Sequence, residues 1–122
     1  MKYFIFIYFI LSNLVFADSI SGTISVKGSV PKGILYVFAK KFDGKMRMPL
    51  AVKKVEDPKF PYKFILNAND SMIKSIPFKG PFKVTARISP SGSVMDKSGI
   101  EATTNNPIKI GSSDILLELV AK

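Results

Sequence analysis

Residues 35–54 read LYVFAKKFDGKMRMPLAVKK, and the way this stretch divides decides the fold. Leu35-Tyr36-Val37-Phe38-Ala39 is aromatic and β-branched, the composition of a strand buried on at least one face, and Met48-Pro49-Leu50-Ala51-Val52 is a second apolar run. Between them Asp43-Gly44 signals a turn, because glycine accepts positive φ and aspartate hydrogen-bonds its own following backbone. The same loop carries Lys40, Lys41, Lys45 and Arg47. Two strands joined by a basic turn follow, and no residue in them points to an active site.

Toward the N-terminus, Ile20, Gly22, Ile24 and Val26 alternate with Ser21, Thr23, Ser25 and Lys27, the period of a half-buried strand. Toward the C-terminus, Met48 to Val55 reads as a third strand with Lys53-Lys54 on its solvent side. Pro58 and Pro61 break the chain before a fourth strand, Tyr62 to Leu66. Ser71 to Lys74 has room for one helical turn before Pro77. Phe82, Val84, Ala86 and Ile88 facing inward, with Lys83, Thr85, Arg87 and Ser89 outward, make the clearest strand in the chain. Ser93 to Asn106 is polar and reads as an irregular excursion. Pro107 to Ile110 and Ile115 to Val120 read as two last strands forming a hairpin about Gly111-Ser112-Ser113-Asp114. Short strands separated by turn signals, with no sustained helical period, predict an all-β fold. It is a single antiparallel β-sandwich of about seven strands, immunoglobulin-like, with a small barrel as the alternative.

Residues 1–17 differ in kind. One charge, Lys2, precedes the apolar run Tyr3 to Leu11, and Val15 and Ala17 stand where a signal peptidase needs small or branched residues. The run falls short of the roughly 20 residues of a comfortable membrane span. The expectation is an export signal cleaved after Ala17, leaving residues 18–122 as a periplasmic domain. A retained N-terminal anchor is the alternative. Cleavage removes a single charged residue, so the remainder stays strongly basic.

A chain of 122 residues is long enough for one domain with one core. It has no Cys, His or Trp, which excludes disulfides, Cys or His nucleophiles, the usual zinc sites and a histidine proton shuttle. Eighteen Lys and Arg against nine acids give a net charge of +9, so the surface attracts anions, anionic headgroups or acidic protein patches. Arginine occurs only at Arg47 and Arg87, whereas nucleic-acid readers favour arginine for bidentate contacts. No nucleic-acid partner is expected.

The candidate partner-binding residues are Lys40, Lys41, Lys45, Arg47, Lys53 and Lys54, with Lys59 and Lys63 nearby in sequence. One reading is a basic face that docks an acidic partner or touches an anionic membrane peripherally. The other is a solvated edge whose lysines discourage pairing with foreign strands. Met46, Met48, Met72 and Met95 are thioethers of the kind that bind Cu(I), but methionine more commonly fills irregular cores. Haem would have only a Met or Tyr36 as axial ligand, so no cofactor or metal is expected. Asp70, Ser71 and Lys74 lack an arrangement that activates the serine, and a turn or helix cap explains them. No catalytic residues are assigned, and the protein reads as a non-enzyme. Exposed edge strands offer a further binding mode, strand addition to an extended client.

Taken together, LYVFAKKFDGKMRMPLAVKK (35–54), PYKFILNANDSMI (61–73) and VTARISPSGSV (84–94) resemble the C-terminal periplasmic domain of the cytochrome c biogenesis factor of the CycH (CcmI) type. That domain shows a strand like LFVFAR, a glycine, MPLAV beside a basic residue, then Pro-x-x-Phe-x-Leu-Asp-Asp-Ser-x-x-Met and ARIS-x-SG. The resemblance runs from about Gly22 to Gly111 in the same order. Here the Leu-Asp-Asp-Ser segment is Leu66-Asn67-Ala68-Asn69-Asp70-Ser71, two residues longer and less acidic. The expectation is that the family's membrane-anchored part and its tetratricopeptide repeats are missing here, with an export signal in their place.

The resemblance implies a stand-alone exported module and a delivery role, holding apocytochrome c or working beside other cytochrome c maturation components. It also implies a separate repeat-containing partner chain. The rival expectation is an envelope interaction module binding anionic membrane or an acidic partner through the basic face.

Overall fold

A computed structural model describes residues 18–42, 48–72 and 74–121. Their seven strands are β1 (Ser19–Lys27), β2 (Ile34–Lys41), β3 (Ala51–Val55), β4 (Tyr62–Asn67), β5 (Phe82–Ser89), β6 (Glu101–Thr103) and β7 (Ile115–Val120). A three-stranded sheet, β4-β1-β7, packs on a four-stranded one, β3-β2-β5-β6. The immunoglobulin-like sandwich expected from the alternation is therefore present. One pairing is parallel: β7 runs alongside β1, with Gly22 opposite Ile115 and Lys27 opposite Val120.

The core lies between the sheets. Ile20 and Ile24 of β1, Leu35, Val37 and Ala39 of β2, Phe64 and Leu66 of β4, Val84, Ala86 and Ile88 of β5, and Leu117 and Leu119 of β7 are buried in one cluster. Each valine, leucine, isoleucine or phenylalanine among them stabilises the fold by roughly 1.5–3 kcal/mol when fully buried. Close packing also dictates a glycine, since a Cβ on Gly22 would overlap the Ile115 carbonyl on the neighbouring strand.

Several expectations are corrected. The third strand starts at Ala51 rather than Met48, although Leu50 N–H still donates to Ala39 O at 2.7 Å; Pro49 has no amide to extend the ladder. The turn at 43–44 lies outside the described residues, but β2 and β3 pair antiparallel on either side of it. The helical turn falls earlier than Ser71, as a 3₁₀ turn over Ala68–Asp70, because Asn67 caps it. Ser71 instead bridges Ala51.

Within 93–106 the excursion contains β6, which the sequence hides because only three residues pair. Its place is set by β5, with Ala102 opposite Ala86 and Glu101 opposite Arg87. Pro107 to Ile110 is not a strand and forms no hairpin with β7. Ile108 exchanges two backbone hydrogen bonds with Phe82, 2.7 and 2.9 Å, while Gly111 N–H donates to Ser19 O and Ser112 O accepts from Ser21 N–H. Residues 108–112 thus cross from one sheet to the other, delivering β7 to β1 so that Ile115, Leu117 and Leu119 reach the core.

Candidate functional site

Residues opposite each other in a ladder share a face, and neighbours along a strand alternate. Since Leu35, Val37 and Ala39 face the core, Tyr36, Phe38 and Lys40 occupy the outer face of the four-stranded sheet. Across from them stand Lys54 and Val52 on β3, and Arg87, Thr85 and Lys83 on β5. This outer face is not simply solvated. Tyr36 and Phe38 are only 6% and 5% exposed, because side chains and a loop cover them.

The cover is residues 90–98, which fold back over the sheet as a strap. The Tyr36 hydroxyl donates to Gly92 O at 2.6 Å, the Ser89 hydroxyl to Ser93 O at 2.6 Å, and Arg87 Nη1 to Val94 O at 3.1 Å. Arg87 also donates Nε to Glu101 at 2.8 Å and sets its guanidinium 5.1 Å from the Phe38 ring centroid, a cation–π distance. Ser89 and Thr85, expected to face solvent, are buried: the strap covers Ser89, and the Thr85 hydroxyl lies 3.0 Å from that of Thr103. Within the strap the Ser98 hydroxyl, at 2.6 Å, and the Ser98 and Ser91 backbones hold the Asp96 carboxyl well below the usual carboxylate range.

The basic residues singled out in the sequence are divided by this geometry. Lys40 lies on the outer face, its Nζ 5.8 Å from the Phe38 centroid and directly opposite Lys83. Neither lysine has a carboxylate partner among the described residues. Lys54 shares that face and reaches Glu56 at 3.8 Å. Lys41 sits opposite Phe82 at the end of β2. Lys53 turns the other way, paired with the core residue Val37, and so does not share a solvent side with Lys54. Its Nζ donates to Ile65 O on β4 at 2.9 Å and approaches Asp70 at 3.9 Å. It joins the edge of one sheet to the edge of the other. Lys45 and Arg47 lie outside the described residues.

Lys83, on the same face as Lys40, is a basic residue that sequence reasoning left out of its partner-binding set. The alternation of β5 already placed it outward, but only the ladder puts it across from Lys40.

The other sequence candidates resolve into structure. Asp70 accepts from Asn67 N–H at 3.0 Å and the Asn67 side chain accepts from Asn69 N–H at 2.8 Å, a reciprocal cap. Lys74 donates to the Ala68 and Asn69 carbonyls at 3.3 and 3.5 Å. Met48, Met72 and Met95 are all exposed, so they fill no core. Met72 borders Leu50 at one end of β2, whereas Met95 belongs to the strap at the other, and Met46 is outside the described residues.

Among the described residues no three carboxylates are grouped to hold a metal, and no helix is long and apolar enough to cross a membrane. An open depression on the outer face of the three-stranded sheet is lined by Ser21, Thr23, Lys63, Ile65 and Ser113. It offers hydroxyls and one ammonium but no base to activate a nucleophile.

Comparison with known proteins bears on this arrangement. Residues 17–120 match the model of the cytochrome c-type biogenesis protein H Ig-like domain. Among curated proteins no match is significant. A solved structure, an alternative pilotin from the type II secretion system of Vibrio cholerae, superposes with a TM-score of 0.52 at 16% identity. The alignment covers 84% of this chain and 94% of the pilotin; at that identity the likeness is one of fold. The family match spans nearly all of the described sandwich, and the chain belongs to the family of the cytochrome c-type biogenesis protein H Ig-like domain.

Proposed function

We propose that this protein is a non-enzymatic accessory factor in cytochrome c maturation, exported with cleavage after Ala17 and contacting apocytochrome c or another assembly component in the periplasm. The observation that carries the reading is the family match over residues 17–120. The described residues support it: their polar clusters are committed to caps, clamps and the strap, and an interaction module needs surfaces rather than reacting groups.

A second reading, an envelope module that binds anionic membrane or an acidic partner, is favoured by one observation. Lys40 and Lys83 face each other across a ladder with no carboxylate partner among the described residues, and opposed like charges are mildly destabilising until an anion neutralises them.

The two readings separate in one experiment. The full-length gene with a C-terminal tag is expressed in its host, the periplasmic protein is captured at low and high salt, and its N-terminus and companions are identified by mass spectrometry. Apocytochrome or haem-ligation components retained at high salt support the maturation role. Exposed charges are screened within about 8 Å at physiological ionic strength, so acidic material or lipid that washes away with salt would replace that role with the second reading.

A further inference from the structure

We infer that the free edge of β7 is the surface that takes a partner, by adding an extended polypeptide segment in which apolar side chains flank a lysine or arginine. The inference rests on the maturation reading only for the partner's identity; the edge itself is argued from the structure.

β1 to β5 each contain at least one lysine, whereas β6 and β7 contain neither Lys nor Arg. The sheet edges are accordingly unequal. β3 is five residues long, holds Lys53 and Lys54, and is flanked by the Ala51–Ser71 bridge and the Met72 N–H to Leu50 O bond. β4 carries Lys63, and its Ile65 carbonyl is occupied by Lys53. β6 is three residues long. Short length, lysine and covering contacts are the means by which proteins keep an edge from accepting another strand.

β7 lacks the first two, and although β6 of the facing sheet lies beside it, no backbone hydrogen bond among the described residues occupies its outer edge. It is six residues long and ends the three-stranded sheet. Ala121 N–H donates to Lys27 O, and alternate residues of a parallel strand direct both backbone groups to the same neighbour. Ile115, Leu117 and Leu119 therefore bond toward β1, and the backbone groups of Leu116, Glu118 and Val120 point to the open edge. Their side chains stand on the outer face, where Leu116 is 80% and Val120 56% exposed.

That row defines its guest. In an added strand, every second side chain would meet Leu116, Glu118 and Val120 in turn. Apolar residues would cover the two hydrophobes and a cation would meet the carboxylate of Glu118. A second copy of this chain fits poorly, because β7 brings no cation to Glu118 and two strongly basic molecules repel.

The test uses the secreted protein, isotopically labelled, and two short threonine-based peptides. One places a lysine between two valines at alternate positions, and the other replaces that lysine with glutamate. The lysine peptide should shift the amides of Leu116 to Val120 and bind more tightly than the glutamate peptide. Glu118→Lys should reverse that preference by about two- to fivefold, the size of a cross-strand charge pair. Leu116→Lys, a change at a solvent-exposed position that supplies the missing guard, should weaken both peptides.

The inference is overturned if millimolar peptide leaves β7 unshifted, if the shifts centre on β3 or β4, if Glu118→Lys leaves the preference unchanged, or if β7 instead mediates a concentration-dependent dimer. Capture of assembly components that persists undiminished in Leu116→Lys would overturn this surface while leaving the maturation role. Peptide binding at β7 without any assembly component in the capture would support the surface and remove the role.

Discussion

The two long sides of the sandwich are finished differently. Where β3 meets β4, Lys53 reaches from one sheet edge to a carbonyl of the other, Asp70 stands beside it, and the Ala51–Ser71 bridge draws the following loop over the gap. Where β6 meets β7, the strands carry no cation and the longer of the two exposes leucine and valine. The difference teaches that part of this chain's high positive charge is architectural. A lysine at an edge both blocks pairing and, as Lys53 shows, satisfies a carbonyl that pairing would otherwise use.

The largest effect is expected from breaking the closed side at its core. Phe64 on β4 is 1% exposed and lies within the central cluster. Phe64→Ala should cost about 3–5 kcal/mol, read as a lowered urea midpoint. A loss below about 1 kcal/mol would mean that the core does not seat β4, and that the closed side depends on its surface contacts.

A smaller effect is expected from removing the clamp alone. Lys53→Met keeps the apolar stem but loses the bond to Ile65 O and the contact with Asp70. The side chain is 34% exposed, so solvent screening limits the cost to about 1 kcal/mol. The more informative readout is binding. With the Ile65 carbonyl uncovered, β4 should begin to take the extended peptides proposed for β7. Unchanged selectivity would show that the lysine does not distinguish the two sides.

How much of this was legible in the sequence depends on what alternation encodes. Period-two patterns set the faces of β1 and β5 almost residue for residue, because half-burial acts on each side chain separately. They say nothing about partners, so the parallel β1–β7 pairing and the crossing through Ile108 were invisible and a hairpin was expected in their place. β6 was missed because its position comes from Arg87 and Ala86 on β5 rather than from its own three residues.

The basic set was recognised as residues but not as a surface. Lys53 and Lys54 are adjacent on a strand and so must point to opposite faces, which alternation alone implies. That Lys53 would end on Ile65 O required the other sheet. The outward Leu116 and Val120 were readable as apolar residues in the polar phase of β7, a signal passed over in favour of charge.

The smallest expected effect concerns the strap, which shields the outer aromatic pair of the four-stranded sheet much as Lys53 shields the gap beside it. Asp96 organises the strap's turn by accepting from Ser98 and Ser91, and its carboxyl is held well below the ordinary value near 3.8. The folded state therefore binds the proton less readily than the unfolded one. The carboxylate's contribution is fully present above about pH 4 and is lost as pH falls below that toward the depressed folded value. Amide exchange in residues 91–98, taken relative to the intrinsic rate at each pH, should stay slow down to about pH 4 and quicken only in stronger acid. Asp96→Asn should quicken it at neutral pH and remove that acid dependence, with little change in global stability because the carboxylate is on the surface. A variant whose strap exchanges as slowly as the native one at neutral pH would show that Tyr36, Ser89 and Arg87 hold the loop without Asp96.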